Sequence, residues 1–199
     1  GEDALYDQAF LGSEFPLDLE LVERVEFIPG QGSAVYGANA LFGVVNVITR
    51  ESARSAQAQA GLSWGTQGDR GLHAMLRLPW GSGGIQVHAS RQLRRGEDLF
   101  DPMKVGIGGS DGWSRGTDGM QRTALAVRAD QGPLTFSVLH AERSKGQPAA
   151  LDVVFGEPRN RYRDTTTLVN LEGSFPIDPA TTIQARAFAG RYRFVGDYV

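Results

Sequence analysis

LVERVEFIPGQGSAVYGANALFGVVNVITR, from Leu21 to Arg50, is the stretch that decides the fold of this chain. Its first part, Leu21–Ile28, alternates in part between apolar and charged residues before a proline–glycine pair, which predicts a short strand that enters a turn. Ser33 is suited to cap a short helix over Ala34–Leu41. The β-branched run in Gly43–Thr49 then predicts a buried strand.

The same outline also fits a dinucleotide-binding unit, and Glu51 lies about where a ribose-binding acid is expected. However, Gly30, Gly32 and Gly37 do not have the G-x-G-x-x-G spacing, and G-x-x-x-x-G-K-[ST] does not occur. The helix of about two turns is short for a parallel crossover, and no helix-period segment follows to cover a parallel sheet. The sequence therefore disfavours a nucleotide enzyme, while an ordinary α+β fragment stays open.

From Ala56 onward, apolar residues recur at every second position, which is typical of strands with two different faces. Each segment is close to the ~9–11 residues of a tilted membrane strand. We expect the last segment to change face near Ala189. The segments begin near Ala56, Leu72, Ile85, Leu125, Leu134, Val169 and Thr182.

The links between these segments form a second pattern. Every second link is short (Gly81–Gly84, residues 131–132, Pro176–Ala180), whereas Arg94–Gly119 and Ser144–Asp164 are long and rich in Gly, Asp and Arg. Short turns on one side and long loops on the other are typical of outer-membrane barrels. A soluble β-sandwich also alternates, but it does not predict this asymmetry or aromatic strand ends. Those aromatic ends are Trp64, Trp80 and Phe175.

Composition narrows the choice of class. The 199 residues have a formal net charge of −3, which argues against a generic nucleic-acid binder, and they include no cysteine. No apolar run approaches the ~18 residues of a transmembrane helix. Arginine outnumbers lysine eighteen to two, which reflects either genomic base composition or bidentate binding of phosphate or carboxylate. The chain begins without a signal peptide and both ends look cut, so we expect an internal piece of a larger protein.

With these residues in view, the chain resembles the TonB-dependent outer-membrane receptors. The resemblance implies that residues 1–52 are the C-terminal part of a plug domain and that residues 53–199 are the first about seven strands of the barrel. The implied fold is mainly β: a fragment of a large antiparallel transmembrane β-barrel with the end of an α+β plug domain. The plug motif matches at Glu23, Arg24, Glu26, Gly30, Gly32, Ser33, Tyr36, Gly37, Gly43, Asn46 and Arg50.

The resemblance also implies a function. Receptors of this kind bind an extracellular ligand such as a ferric siderophore, cobalamin or a similar nutrient and import it to the periplasm. The implied partners are TonB, through a segment absent from this chain, a small-molecule ligand, and outer-membrane lipid and lipopolysaccharide, with no nucleic acid. The implied location is the bacterial outer membrane. The resemblance implies no cofactor, no metal and no catalytic residue. The alternative is a soluble β-rich binding domain with no transport role, which would need its apolar faces to converge in one dry core.

One departure from the family pattern concerns the contact between plug and barrel. Family members commonly have Arg-Gly-Pro where this chain has Pro29-Gly30-Gln31. The missing arginine is often one that pairs with barrel carboxylates, so the resemblance does not support that ion pair here.

The long loops carry the candidate ligand-binding residues. Arginine together with aromatic side chains suits an anionic, partly aromatic chelate, although a solvated loop or arginines holding lipid phosphates would look the same. These candidates are Arg94, Arg95, Trp113, Arg115, Arg159 and Arg161.

The three histidines are His73, His88 and His140. A turn centred between residues 82 and 83 would set His88 opposite Arg77 and His73 opposite Gln92. Neither pairing makes a metal site, and we expect polar side chains in the barrel lumen instead.

Overall fold

A computed structural model describes residues 15–30, 43–51, 55–149 and 154–199. A single 3-10 turn, Leu19–Leu21, leads into strand β1 (Val22–Pro29), which pairs in antiparallel register with β2 (Gly43–Thr49). Both strands of the opening stretch are therefore confirmed. The helix expected between them lies outside the described residues, as do motif positions Gly32, Ser33, Tyr36 and Gly37.

The expectation that β2 is buried is wrong. Its residues are half-buried or exposed, and Val45 is 63% exposed. The physical reason is that β1 and β2 form a sheet of only two strands within the described residues, so neither face is covered by a further layer.

The predicted seven-stranded arrangement is confirmed. Seven strands form one antiparallel sheet in which each strand pairs with its neighbours along the chain, and two short strands form a separate ribbon inside the link between the third and fourth. In chain order the strands are β3 (Gln57–Trp64), β4 (Arg70–Trp80), β5 (Gly83–Arg94), β6 (Leu99–Phe100), β7 (Trp113–Ser114), β8 (Met120–Gln131), β9 (Leu134–Gly146), β10 (Arg161–Asp178) and β11 (Thr181–Asp197). The ribbon is β6–β7.

The alternation of link lengths is also confirmed. At one end of the sheet, two residues each connect β4 to β5, β8 to β9 and β10 to β11, whereas residues 95–119 and 147–160 form the long links at the other end. The expected pairing of the histidines is wrong, because Trp80 pairs with Gly83 and the turn is residues 81–82. Gly81 has a φ of +58°, which glycine adopts readily. His88 therefore lies opposite Met75, and His73 lies opposite Ser90.

The outer face of the sheet is apolar and uncovered. Leu62, Leu76, Val87 and Phe136 share this face and are 62%, 43%, 36% and 41% exposed. The soluble alternative requires these side chains to converge in one dry core. Within the described residues they do not. The opposite face, called the inner face below, carries the buried polar residues, among them Gln86, His88, Arg122, Arg143, Thr166 and Asn170.

The apolar band on the outer face runs obliquely across the strands. One hydrogen-bonded row joins Ala58 on β3 to Ala189 on β11 through Leu76, Val87, Val127, Val138 and Val169. On β3 the band extends three outer-face positions beyond this row, to Trp64 at the long-link end. On β11 it stops at the row, since Arg191 is the next outer-face residue, and extends three positions the other way, to Ile183.

This oblique course gives the tilt of the strands. Three outer-face steps are ~20 Å along a strand and six strand spacings are ~29 Å across the sheet, so the band makes an angle of ~35° with the hydrogen-bonded rows. A layer of lipid crossed by strands tilted ~35–45° from the barrel axis produces such a band.

The regular pairing through Ala189 corrects one further expectation. The pairing of β10 with β11 has no irregularity between Arg161/Asp197 and Pro176/Thr182. Alternation is therefore preserved, and Arg191 and Arg193 stay on the outer face with Ala189 instead of changing face.

Candidate functional site

A segment before β1 contacts the inner face of the sheet. The Asp18 carboxylate accepts a hydrogen bond from Ser90 Oγ at 2.5 Å and forms an ion pair with Arg122. The Arg122 guanidinium also donates to the backbone carbonyls of Pro16, at 2.7 Å, and Phe15, at 3.4 Å. One arginine on β8 therefore holds three polar groups of the segment.

The sheet positions these partners because β5 and β8 are neighbours. Ser90 lies opposite Ala124, and Arg122 lies opposite Gln92, so both side chains project from the inner face in adjacent rows. His88 lies one row further, is fully buried, and has Nδ1 3.5 Å from the Asp18 carboxylate. A second, looser contact joins Glu20 to His73 Nδ1 at 3.6 Å.

Burial makes the Asp18–Arg122 pair consequential. The two side chains are only 11% and 9% exposed. A buried charge is stable only when it is paired and hydrogen-bonded, and removing one partner leaves the other charge without compensation. The sequence did not reveal Asp18, Ser90 or Arg122 as a group, since 104 residues separate the ion-pair partners. The polarity is the reverse of the family pair discussed above: the carboxylate lies on the segment and the arginine on the sheet.

The motif residues of β1 and β2 form a surface network around Glu26. Arg24 donates to the Glu26 carboxylate at 2.8 Å, and Asn46, directly opposite on β2, donates to it at 3.1 Å. The Arg24 guanidinium and then the Asn46 amide hold the pKa of Glu26 below its usual range. Glu23 contacts Arg24 at 3.2 Å, and the Arg50 N–H donates to the carbonyl of Leu21 at 2.8 Å.

Two motif glycines have a backbone reason to be glycine. Gly30 has a φ of +108°, in the region that L side chains rarely adopt, at the end of β1. At Gly43 a Cβ would meet the carbonyl oxygen of Ile28 at 3.0 Å, so the close approach of the two strands favours a residue without a side chain.

The long link after β5 brings two of the candidate ligand residues together. The Trp113 ring lies 5.0 Å from the Phe100 ring across the β6–β7 ribbon, and Arg115 lies over Trp113 at 5.4 Å. Both aromatic rings are exposed. Arg115 also pairs with Asp111 at 2.7 Å, and the Trp113 N–H and the Arg115 guanidinium together lower the pKa of Asp111. An exposed aromatic pair beside a cation offers a planar surface for an anionic aromatic group.

The other candidates do not join this cluster. Arg94 ends β5 and lies 3.6 Å from Asp69, and the Arg95 N–H donates to the carbonyl of Gln67 at 3.2 Å. Arg159 pairs with Glu157 at 2.9 Å, which lowers the pKa of Glu157 to about 2. Arg161 begins β10 and lines the outer face.

Comparison with known proteins adds two relatives, while no family model matches the chain. Over 83 residues the chain is 32% identical to the vitamin B12 transporter BtuB of Vibrio vulnificus (strain CMCP6), a match that covers 41% of this chain and 14% of the transporter. The siderophore receptor PiuA from Acinetobacter baumannii has a similar fold, with a TM-score of 0.65 and 15% identity over 87% of this chain and 26% of the receptor. These similarities support the interpretation of the chain as a fragment of a TonB-dependent receptor.

The fold similarity confirms the predicted fold class and agrees with the predicted location. The chain is mainly β, and its open seven-stranded sheet matches a fragment of a receptor barrel, which is consistent with a location in the bacterial outer membrane. It spans well under a third of the length of either relative. No helix among the described residues is long and apolar enough to cross a membrane. Within the same ranges, no group of three His, Cys, Asp or Glu side chains could hold a metal ion.

Proposed function

We propose that this chain supplies the end of the plug, residues 1–52, and the first seven barrel strands, residues 53–199, of an active-uptake receptor. The receptor binds an extracellular small molecule and imports it to the periplasm, powered through TonB, which engages a segment outside this chain. The observation that carries the proposal is the apolar band, because a band inclined at ~35° to the hydrogen-bonded rows fits tilted strands that cross a lipid layer. No catalytic step and no nucleic acid belong to it.

The proposed ligand surface is the exposed β6–β7 ribbon in the long link between β5 and β8. Phe100 and Trp113 supply aromatic surface and Arg115 supplies positive charge. This combination suits an anionic, partly aromatic chelate such as a ferric siderophore, and the named relatives are a vitamin B12 transporter and a siderophore receptor. The remaining candidate arginines lie apart from this ribbon, so in this proposal they make at most peripheral contacts with the ligand. They are Arg94, Arg95, Arg159 and Arg161.

In the proposed mechanism, the Asp18 contact anchors the C-terminal end of the plug. It fixes residues 15–21 to the barrel wall through Arg122 and Ser90. A pull on the N-terminal side of the plug then acts against an anchored C-terminal end, so that the upstream part yields first. Ligand released from the loops would pass along the polar inner face.

The test uses the full-length receptor in cells with and without TonB. Three radiolabelled probes are supplied: a ferric catecholate, a ferric hydroxamate and cyanocobalamin. We expect one probe to accumulate only when both receptor and TonB are present, and a proton uncoupler to abolish the accumulation. If a correctly inserted receptor neither binds nor accumulates any of the three probes, the proposed uptake role is contradicted.

A detergent experiment separates this proposal from a soluble β-rich binding domain. The exposed outer-face residues Leu76, Val87 and Phe136 predict aggregation of the receptor in water and monodispersity in detergent micelles. A monodisperse, cooperatively melting sample without detergent would favour the soluble alternative.

A further inference from the structure

The β6–β7 ribbon has one exposed side and one buried side. Trp113 is 42% exposed, whereas the next residue, Ser114, is fully buried, and Thr117 is also buried. The hydroxyl groups of Ser114 and Thr117 form a hydrogen bond with each other. Because successive side chains of a strand point to opposite sides, the contact that covers Ser114 also fixes the direction in which Trp113 points.

Two close backbone approaches cover the buried side. Gly156, in the long link after β9, lies against Ser114, since a Cβ at position 156 would be 3.4 Å from the Ser114 Cα. At Gly146, the last residue of β9, a Cβ would collide with the carbonyl oxygen of Thr117. The Gly146 N–H also donates to the carbonyl of Gly119 at 2.8 Å. The end of β9 and the link that follows it therefore support the base of the ribbon directly.

Asn160 holds the supporting part of this link in place. Its side chain is fully buried. Its amide Nδ2 donates to the carbonyl of Val154 at 2.8 Å, and its Oδ1 accepts a hydrogen bond from the Val199 N–H at 2.8 Å. Its backbone carbonyl accepts from the Gln147 N–H at 2.8 Å. One residue therefore joins the beginning of the link, the turn that contains Gly156 and the segment after β11.

The side chain of Asn160 is the part of this arrangement that a substitution can remove. Without its amide, the Val154 carbonyl and the Val199 N–H lose these partners, and polar groups left unpaired in a buried setting destabilise the arrangement that holds them. We expect the turn at residues 154–157 to shift as a result, so that Gly156 no longer covers Ser114. The neighbouring Arg159 differs, because its side chain is 68% exposed and pairs with Glu157.

We propose that Asn160 is a positioning residue for the ligand surface. It holds the turn at residues 154–157 against Ser114 and thereby sets the direction in which Trp113 and Arg115 face. The inference rests on the proposed function, since it requires the ribbon to bind the ligand. It goes further by making ligand affinity depend on a buried amide in the second long link, which does not itself contact the ligand.

The first test measures the orientation of the ribbon without any ligand. Spin labels on single cysteines replace Met103, in the loop that connects β6 to β7, and Leu62, on β3, in the full-length receptor in liposomes. The wild type should give a narrow distribution of distances between the two labels. Asn160→Ala should broaden or shift this distribution, whereas Arg159→Gln, one residue earlier in the same link, should leave it unchanged.

The second test measures affinity by isothermal titration. The probe is whichever of the ferric catecholate, the ferric hydroxamate and cyanocobalamin the wild type binds. Asn160→Ala should raise its Kd about tenfold, since a ribbon that is correctly oriented for about a tenth of the time binds tenfold more weakly. In a Trp113→Ala background the same substitution should cost about threefold or less, because residues that act through one another are not additive.

A second variant keeps the proposal testable if Asn160→Ala does not insert. Gly156→Val leaves the Asn160 amide intact but adds a side chain where the backbone meets Ser114, and its φ of +73° disfavours valine. It should change the label distances and the Kd in the same direction as Asn160→Ala.

Two results would overturn the positioning role: label distances that are unchanged in both variants, and a loss of affinity from Asn160→Ala that is equally large with and without Trp113. A purely structural role would produce the second result. Failure of the proposed function looks different. In that case the wild type binds none of the three probes, while the label distances still respond to Asn160→Ala.

Discussion

The two faces of the seven-stranded sheet are built from the same alternating strands but differ in what they bury: one buries paired charges, and the other leaves apolar side chains exposed. On the inner face, Arg122 and Arg143 are almost fully buried and each is paired with a carboxylate, Asp18 and Asp164 respectively. On the outer face, large apolar side chains stay uncovered, and Arg191 and Arg193 of β11 lie beyond the apolar band. Alternation of apolar and polar residues alone therefore does not identify a core, whereas the groups that each face contacts do.

The largest expected effect concerns the inner face. Asp18→Ala leaves the buried Arg122 charge unpaired, and breaking a buried ion pair costs ~3–5 kcal/mol. Hydrogen exchange of residues 15–21 in the full-length receptor should rise accordingly. The double variant Asp18→Ala/Arg122→Leu removes the unpaired charge but also the donors to the Pro16 and Phe15 carbonyls, so exchange of residues 15–21 should stay raised while the stability of the barrel recovers. Equal exchange in wild type and Asp18→Ala would mean that the segment is not anchored there.

The next effect tests the outer face. Val138→Arg introduces a charge into the apolar band, where a barrel loses ~2–4 kcal/mol for an arginine near the bilayer midplane. The matched control is Ser137→Arg, one residue earlier on the inner face, beside an Arg128 that already pairs with Asp130 at 3.0 Å. Folding into liposomes against urea should separate the two variants. Equal destabilisation of both would erase the distinction between the faces.

A smaller effect is expected in the loop, which belongs to neither face. Trp113→Ala or Arg115→Gln should weaken binding of the transported probe about tenfold, since a cation over an aromatic ring and a charge-assisted contact are each worth ~1–1.5 kcal/mol. Arg159→Gln is the control, because Arg159 has the same kind of carboxylate partner, Glu157, but lies outside the aromatic cluster. Isothermal titration with purified receptor provides the measurement. An undiminished affinity in both loop variants would move the ligand site away from the ribbon.

The smallest effect is a pH dependence in the β1–β2 sheet. Arg24 and Asn46 hold the pKa of Glu26 below its ordinary value of 4.5. A lowered folded-state pKa stabilises the ionised form, so the contribution is complete above pH 4.5 and is lost as pH falls through the folded value. The protection of the β1 amides, measured as hydrogen exchange relative to the intrinsic rate at each pH, should therefore fall at acidic pH in wild type. Glu26→Gln should remove this dependence, and an unchanged profile would contradict the role of the network.

Much of the sheet could be predicted because a period of two is a local signal. The strand positions and the alternation of short and long links follow from residues such as Leu72–Trp80 and the turn at residues 131–132. A turn centre placed one residue late moved every opposite pair by two, so His88 was assigned to the correct face with the wrong partner. The expected change of face near Ala189 was wrong. Arginine at an outer-face position suggests a polar inner face, and only the tilt of the apolar band shows that Arg191 and Arg193 lie beyond it.

The candidate site was less predictable. Asp18 and Arg122 are 104 residues apart, and no local pattern connects a segment before β1 with the inner face of β8. The Trp113–Arg115 cluster was accessible because both residues lie in one loop. Phe100 joins it only through the β6–β7 ribbon, whose two-residue strands are too short to produce a period.

The most direct test of the central claim compares two positions of one hydrogen-bonded row. Leu62 on β3 and Thr165 on β10 lie in the same row across the outer face, but the tilted band places only Leu62 in lipid. Spin labels on single cysteines, introduced at these positions in a cysteine-free receptor in liposomes, report exposure to oxygen and to a water-soluble nickel complex. We expect the label at 62 to be accessible to oxygen and the label at 165 to the nickel complex. Equal depth for both labels, or protection of both from either reagent, would contradict a tilted membrane-spanning sheet.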